Sequence, residues 1–530
     1  MEKIKLTKDK ACQWYSNDSC YAKGYLFTPD GRLYRDENLL SYFGDIADEN
    51  DFRSKLLSAN GVFSVIINQE NTLWVAVDRV RYFPLFYRFK GEQIYIADEI
   101  RDLYEPDEQK ELDPDSALLF RGLGYVLKNK TLLKDAFQIQ AGEYLSYING
   151  KLTSAFYHLH RSEKINIGFD EAKEQLKNIL QNVGSRMTQV LGDRLALLSL
   201  SGGFDSRLIA YLLKKEGVKN VLCFTYGKKE DNPEWKRSEM VAKKLGYEWL
   251  FIDYGSIDNQ PLFHKQKQFV DYCEYASQYV SKFGVTQYFA ANYLIENVKI
   301  PTNPVCLAGH GGDFFSGSYL RPFMQKYHSL SAMAKDLQLS DFHIGNMVQL
   351  TGKERKKIVK LIRKDLLNFS PLFQSVENWE LKEREAKYVF PFNKLWEYRG
   401  IDSYMPLCDT ELMDFFISLP FEYRLNQKLY KTVLSELFAE FDINFPQDES
   451  KLKAAIIQQI KIFIKRTFPF LKKKPNLFLY DYFDFKRFSQ PLLKELEEAG
   501  EKRKILSLNG IFSEWYLMQI KKKLQNEKVD

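Results

Sequence analysis

The sequence has no run of 18 uninterrupted apolar residues, which excludes an ordinary membrane-spanning helix. Residues 1–10 are charged and lack an apolar core, so no secretory signal is expected there. Cysteine is scarce: six in 530 residues, at 12, 20, 223, 273, 306 and 408. None forms a C-x-x-C pair. That argues against structural zinc and a disulfide framework, and it fits a reduced, cytoplasmic chain. A strong overall charge is also missing, since the net is +6. The imbalance is local: residues 451–530 carry 18 Lys/Arg against 9 Asp/Glu. Within that tail, Lys461–Lys474 has six basic residues and no acid. The favoured reading is a helix with its apolar face on the body and its lysines in solvent. The other is peripheral contact with an anionic membrane surface at the inner face; nucleic acid is not favoured.

At 530 residues the chain exceeds one ordinary core, so two or more domains are expected. Residues 1–155 read as β-rich. Val62–Ile67 and Leu73–Val77 read as two strands joined at Asn68–Asn71, and Pro84–Phe89 pairs with Gln93–Ala97 across Lys90-Gly91-Glu92. From Phe169 the period changes. Asp170–Gln189 predicts a helix capped by Asp170. Apolar strands at Leu195–Leu200, Val221–Thr225 and Glu248–Ile252 then alternate with helices at Arg207–Glu216 and Glu234–Leu245. That alternation predicts a doubly wound parallel sheet, in which ligands bind beyond the carboxyl ends of the strands.

One such end carries Ser201-Gly202-Gly203-Phe204-Asp205-Ser206. Glycines let the backbone approach closely, and a helix N-terminus favours negative charge, so the turn is an anion cradle. Asp205 would repel a bare phosphate, which points to a bridging Mg²⁺. The Lys of a Walker loop and the spacing of a dinucleotide fingerprint are both absent. The plain alternative is a glycine turn between strand and helix. A second cluster, Gly309-His310-Gly311-Gly312-Asp313, follows the apolar Val305–Ala308. Its plain alternative is a flexible loop with an incidental acid. Taken together, Asp205 and Asp313 form a two-carboxylate set able to share a hard cation on ATP phosphates.

The S-G-G-x-D-S loop resembles the pyrophosphate loop of the ATP pyrophosphatases, and the whole chain resembles the asparagine synthetase family, including its β-lactam synthetase branch. The resemblance rests on that loop, on Gly309–Asp313, on Tyr404-Met-Pro-Leu-Cys-Asp409, and on Phe415–Pro420 and Lys428–Leu434. In the first half it rests on Asn60–Ile67, Val77-Asp-Arg79, Pro84–Tyr87 and Ala97-Asp-Glu99. It implies an α/β chain. An N-terminal Ntn-amidohydrolase-like αββα sandwich over residues 1–160 precedes a doubly wound ATP-pyrophosphatase domain over 165–530, with extra helices and the basic tail from about 451. It implies ATP and Mg²⁺ as cofactors. Leu200, Ser201, Gly202, Gly203, Asp205, Ser206, Thr225, Gly309, Gly311 and Gly312 would cradle the nucleotide, and Asp205 and Asp313 would hold the metal.

The departures matter as much. The family's glutamine-using members carry Cys directly after Met; residue 2 here is Glu, and Cys12 is followed by Gln13-Trp-Tyr, unlike the family's start. The front half is therefore expected to lack glutaminase activity. His310 stands where the asparagine-making branch has Glu, and Asp409 matches the acid paired with that position; a His310–Asp409 base is the expectation. The alternative is that His310 lines the loop and donates to phosphate. Lys451 is the candidate catalytic lysine. Lys431 is expected to pack and pair on a helix, Arg207 either meets substrate or caps the sheet, and Tyr404 replaces an arginine that would clamp a carboxylate. The expected activity is ATP-dependent amide formation through an acyl-adenylate. The carboxylate would be a small molecule, a sugar acid or a peptide, and ammonia or a substrate amine the nucleophile. The rivals are an ATP pyrophosphatase acting on tRNA and a non-catalytic ATP-binding partner protein.

Overall fold

The computed structural model describes residues 3–7, 11–229, 234–257, 263–339, 347–445, 481 and 483–526. Lys451 and the basic stretch Lys461–Lys474 lie outside them. In the front half two sheets stack. The larger orders strands Lys151–Phe156, Glu143–Ile148, Thr72–Val77, Asn60–Gln69, Cys20–Phe27 and Tyr15–Ser16, with Leu33–Arg35 beside Cys20–Phe27. The smaller orders Lys3–Lys5, Gln93–Ala97, Phe86–Lys90 and Ala136–Gln138. Strand Asn60–Gln69 shows why its sequence is apolar at successive positions. Ile66 points into the layer between the sheets with Val75, Ile94, Ile96 and Leu145. Val65 and Ile67 point the other way, onto Leu39, Phe43, Phe52 and Leu56 of helices Asn38–Phe43 and Glu49–Ser58. A strand covered on both faces needs apolar residues at both parities. Helix Pro114–Leu123 covers the smaller sheet through Ala117 and Phe120, which completes an αββα sandwich.

In the rear half five parallel strands lie in the order Glu248–Asp253, Val221–Gly227, Ala196–Ser199, Val305–Leu307, Asp402–Tyr404. By chain order that is 3-2-1-4-5, so the winding reverses between Ala196–Ser199 and Val305–Leu307. In such sheets this is where the crevice opens. Ala196 and Leu198 face helices Phe169–Leu191 and Phe204–Lys215; Leu197 faces a second core with Tyr272, Phe289 and Trp515. Helix Phe169–Leu191 is capped by the extended Gly168, not by Asp170. It starts one residue earlier than its sequence suggested, so Asp170 falls inside the first turn, where a negative charge suits the helix dipole. The six cysteines are free, and all but the half-buried Cys12 are buried. Among the described residues, no helix is long and apolar enough to cross a membrane.

Candidate active site

The first loop is held by its own side chains. Ser206 Oγ accepts from the Ser201 amide at 3.0 Å, and Ser201 Oγ accepts from the Gly203 amide at 3.2 Å. Below it, the Leu200 amide donates to the Phe224 carbonyl at 2.9 Å. The Thr225 hydroxyl donates to the Leu200 carbonyl at 2.6 Å and lies 2.6 Å from Ser238 Oγ. Leu200 is buried in the core and Thr225 is buried as well. Their side chains therefore frame the loop from below. Arg207 resolves in favour of structure. It is buried, it donates to the carbonyls of Gly202 at 2.8 Å and Ile443 at 3.1 Å, and it lies over the rings of Phe204, Phe438 and Phe445.

The second loop approaches so closely that its glycines are required. A Cβ on Gly312 would stand 2.7 Å from Asp205 Oδ1, and one on Gly309 would stand 3.1 Å from the Asp205 Cβ and the Ser206 nitrogen. Gly311 has φ +97°, in the left-handed region. The Asp313 amide donates to Asp205 Oδ2 at 3.1 Å, and the Tyr430 hydroxyl donates to Asp205 Oδ1 at 2.8 Å. The two carboxylates sequence reasoning linked are thus side by side at the sheet's switch point. Burial and the neighbouring Asp313 charge push Asp205 up to about 8, and burial raises Asp313. A pair strained this way is what a divalent cation would relieve. Among the described residues no group of three or more His, Cys, Asp or Glu could hold a metal ion. The set therefore suits a cation shared with ligand phosphates rather than a caged one.

His310 and Asp409 do not meet. His310 Nδ1 lies 3.1 Å from Asn393 Nδ2, and desolvation pushes the ring down to about 4, so it is neutral at ordinary pH. Asp409 is bound elsewhere. It takes Arg186 on both oxygens, at 2.7 and 3.0 Å, accepts from Asn60 Nδ2 at 3.1 Å, and caps helix Thr410–Ser418. The expected His–Asp base is corrected accordingly: a carboxylate already holding a guanidinium has no reason to orient an imidazole. Lys431, half-buried and pushed down by desolvation, forms no ion pair among the described residues, contrary to its expected pairing.

Residues 183–443 match the family model for asparagine synthase, and residues 51–158 match that for a glutamine amidotransferase domain. The chain belongs to the asparagine synthase family. It is an ATP-dependent carbon–nitrogen ligase of that family, with the amidotransferase-like sandwich in front. No curated protein matches it. Among solved structures it is similar to a glutamine phosphoribosylpyrophosphate amidotransferase from B. subtilis complexed with ADP and GMP, at 11% identity over 47% of this chain and 76% of that one, TM-score 0.19. It is also similar to an NH3-dependent NAD synthetase from Campylobacter jejuni subsp. jejuni, at 15% over 39% and 77%, TM-score 0.17. A third is an NMN synthetase from Francisella tularensis, at 12% over 49% and 97%, TM-score 0.17.

In this asparagine synthase-family chain several front-half motif residues serve as clamps. Asn60 reaches Asp409 and also accepts from the Thr410 amide at 2.9 Å; Arg79 holds Asp414 on both oxygens, at 2.9 and 3.0 Å. Asp78 accepts the amides of Phe63, Val80 and Tyr82 and so builds a turn. Sequence reasoning missed Tyr430, Asn393 and Arg186. Only Tyr430 left a signal, as part of the Lys428–Leu434 segment; the others are polar residues in helical stretches with nothing to mark them.

Proposed function

We propose that the chain activates a substrate carboxylate with ATP and joins it to an amine or ammonia. The carboxylate oxygen attacks the α-phosphorus and pyrophosphate leaves; the nitrogen then attacks the acyl carbon, loses a proton, and AMP leaves. The observation that carries this reading is the contact of the two glycine loops, which brings Asp205 and Asp313 together at the mouth of the sheet. Ser201, Gly202, Gly203 and Ser206 would line the pyrophosphate side, and Gly309, Gly311 and Gly312 would let it approach. Asp205 and Asp313 would hold Mg²⁺, which supplies charge neutralisation on the phosphates. With the Asn393 amide nitrogen as donor, His310 Nδ1 accepts and Nε2 keeps its hydrogen. His310 then serves as a neutral donor toward phosphate or acyl oxygen rather than as a base.

The nitrogen does not come from glutamine cleaved by this chain. Support comes from the front half's two thiols: burial pushes both Cys12 and Cys20 up to about 12, far from the thiolate a glutaminase needs. The test is exchange of labelled pyrophosphate into ATP across a panel of carboxylates, followed by product formation with ammonium and with glutamine. Carboxylate-dependent exchange and turnover on ammonium or a supplied amine are expected. Absence of exchange with every carboxylate would overturn the adenylation step. Glutamine-dependent turnover by this chain alone would overturn the nitrogen source.

A further inference from the structure

The cationic tail is not the one place where positive charge gathers. Helix Gly352–Asp365 carries seven Lys/Arg against two Asp/Glu, a net of +5 in 14 residues. Its Ile358 and Ile362 are buried in a core with Leu118, Met333 and Trp379, which seats the helix on the body along one side. Both acids are engaged by the body. Glu354 closes a capping box with Thr351 and holds Arg503 at 2.9 Å; the buried Asp365 pairs with Lys382 at 3.1 Å. The outward side is therefore cationic: Lys353, Lys356, Lys357, Lys360, Arg363 and Lys364 are all exposed. Their spacing of i, i+3, i+4, i+7, i+10 and i+11 puts them in one stripe about 17 Å long, opposite Ile358 and Ile362. Among the described residues only Lys357 of the six is ion-paired, with Asp115. Like charges at these spacings repel, so the stripe weakens its own helix. At the far end the exposed Lys128 adds another cation, its Nζ 3.1 Å from the Lys364 carbonyl oxygen.

We propose that this face rests on an anionic phospholipid surface. Four to eight basic residues gathered on one helix are drawn to such a surface by its negative potential. The residue types favour lipid over nucleic acid. Five of the six are lysines, compact hydrated point charges that suit a diffuse negative plane. Arginine, whose fork matches phosphates and base edges, occurs once in the stripe. The helix also has no aromatic residue on which a base could stack. No helix among the described residues is long and apolar enough to cross a membrane, so the contact proposed is peripheral. It does not depend on the ATP-site reading.

The test is co-sedimentation of the full chain with phosphatidylcholine vesicles, with and without phosphatidylglycerol, at low and high salt. The wild type is expected to bind only the vesicles containing phosphatidylglycerol, and to be released by salt. The triple variant Lys353→Gln, Lys356→Gln, Lys360→Gln should bind them about 100-fold more weakly. Its thermal unfolding should stay unchanged or rise, because like charges are relieved. A second triple variant, Lys472→Gln, Lys473→Gln, Lys474→Gln, separates the helix from the basic tail and should bind within about threefold of wild type. Equal binding to both vesicle types, or full binding by the folded helix variant, overturns the proposal. Loss of binding in the tail variant alone overturns it too. Duplex RNA held more tightly than the vesicles, and lost in the helix variant, would assign the face to nucleic acid instead.

Discussion

Asp205 and Asp409 occupy similar places in the same sheet and have opposite surroundings. Each stands at the N-terminus of a helix that follows a parallel strand: Asp205 in the first turn of Phe204–Lys215, Asp409 as the cap of Thr410–Ser418. Asp409 is satisfied by a two-pronged guanidinium, a side-chain amide and two backbone amides. Asp205 accepts one hydroxyl and one amide, and its nearest charge is another carboxylate. The position in the sheet explains the difference. Asp409 follows the edge strand Asp402–Tyr404, where the front half docks and supplies Asn60; Asp205 lies at the switch point, where the sheet opens. One carboxylate joins the two halves of the molecule. The other is the one assigned, in the proposed function, to a ligand.

Removing the open carboxylate breaks the comparison most strongly. Asp205→Asn should lower carboxylate-dependent pyrophosphate exchange by about 1,000-fold or more, since a preorganised charge at the reacting phosphates is lost. Metal-free thermal unfolding should stay unchanged or rise, because a like-charge contact with Asp313 is relieved. A folded Asp205→Asn protein with full exchange would contradict the assignment.

At Asp409 the effect should fall on stability instead. Arg186→Ala leaves a carboxylate that is 4% exposed without its counter-charge. Breaking such a pair should cost about 3 kcal/mol or more in chemical unfolding, while exchange per folded molecule is kept. A stable Arg186→Ala protein that has lost exchange would move Asp409 back into the active site.

The smallest expected effect concerns pH. His160 lies under the second loop, 5.9 and 5.6 Å from the rings of Phe314 and Phe315, and neither ring nitrogen has a partner among the described residues. Burial holds its pKa well below 6.5, with the charges of Arg424 and Arg79 adding to the shift. A base neutral when folded and protonated when unfolded favours unfolding in acid. Its contribution is therefore full above about pH 6.5 and is lost as pH falls. His160→Phe should make the fall in thermal stability between about pH 6.5 and 5 less steep, because one of several histidines held neutral by burial is removed; an unchanged slope would show that His160 does not contribute.

The strands and both glycine loops were legible because their signals are local. A buried parallel strand must be apolar at consecutive positions, and two loops that touch must be glycine-rich. Gly312 makes the point, since its missing Cβ would collide with Asp205, a residue 107 positions earlier. What decides the fate of Asp409 is not local. Arg186 is 223 residues away and Asn60 is 349 away, and neither carries a pattern that names its partner. The motif that matched Asp409 to a catalytic acid recorded its place in the chain and not its neighbours. Tyr404 is a similar case: its substitution for arginine was visible, but its burial against Tyr25 was not.

The most direct test is metal-dependent nucleotide binding. Mn²⁺ replaces Mg²⁺, and the bound ion is followed by electron paramagnetic resonance with a non-hydrolysable ATP analogue in wild type, Asp205→Asn and Asp409→Asn. The expected result is one nucleotide-dependent Mn²⁺ signal in wild type and in folded Asp409→Asn, and its loss in Asp205→Asn. Retention of the signal in Asp205→Asn, with loss in a folded Asp409→Asn protein, would contradict the division of roles between the two carboxylates.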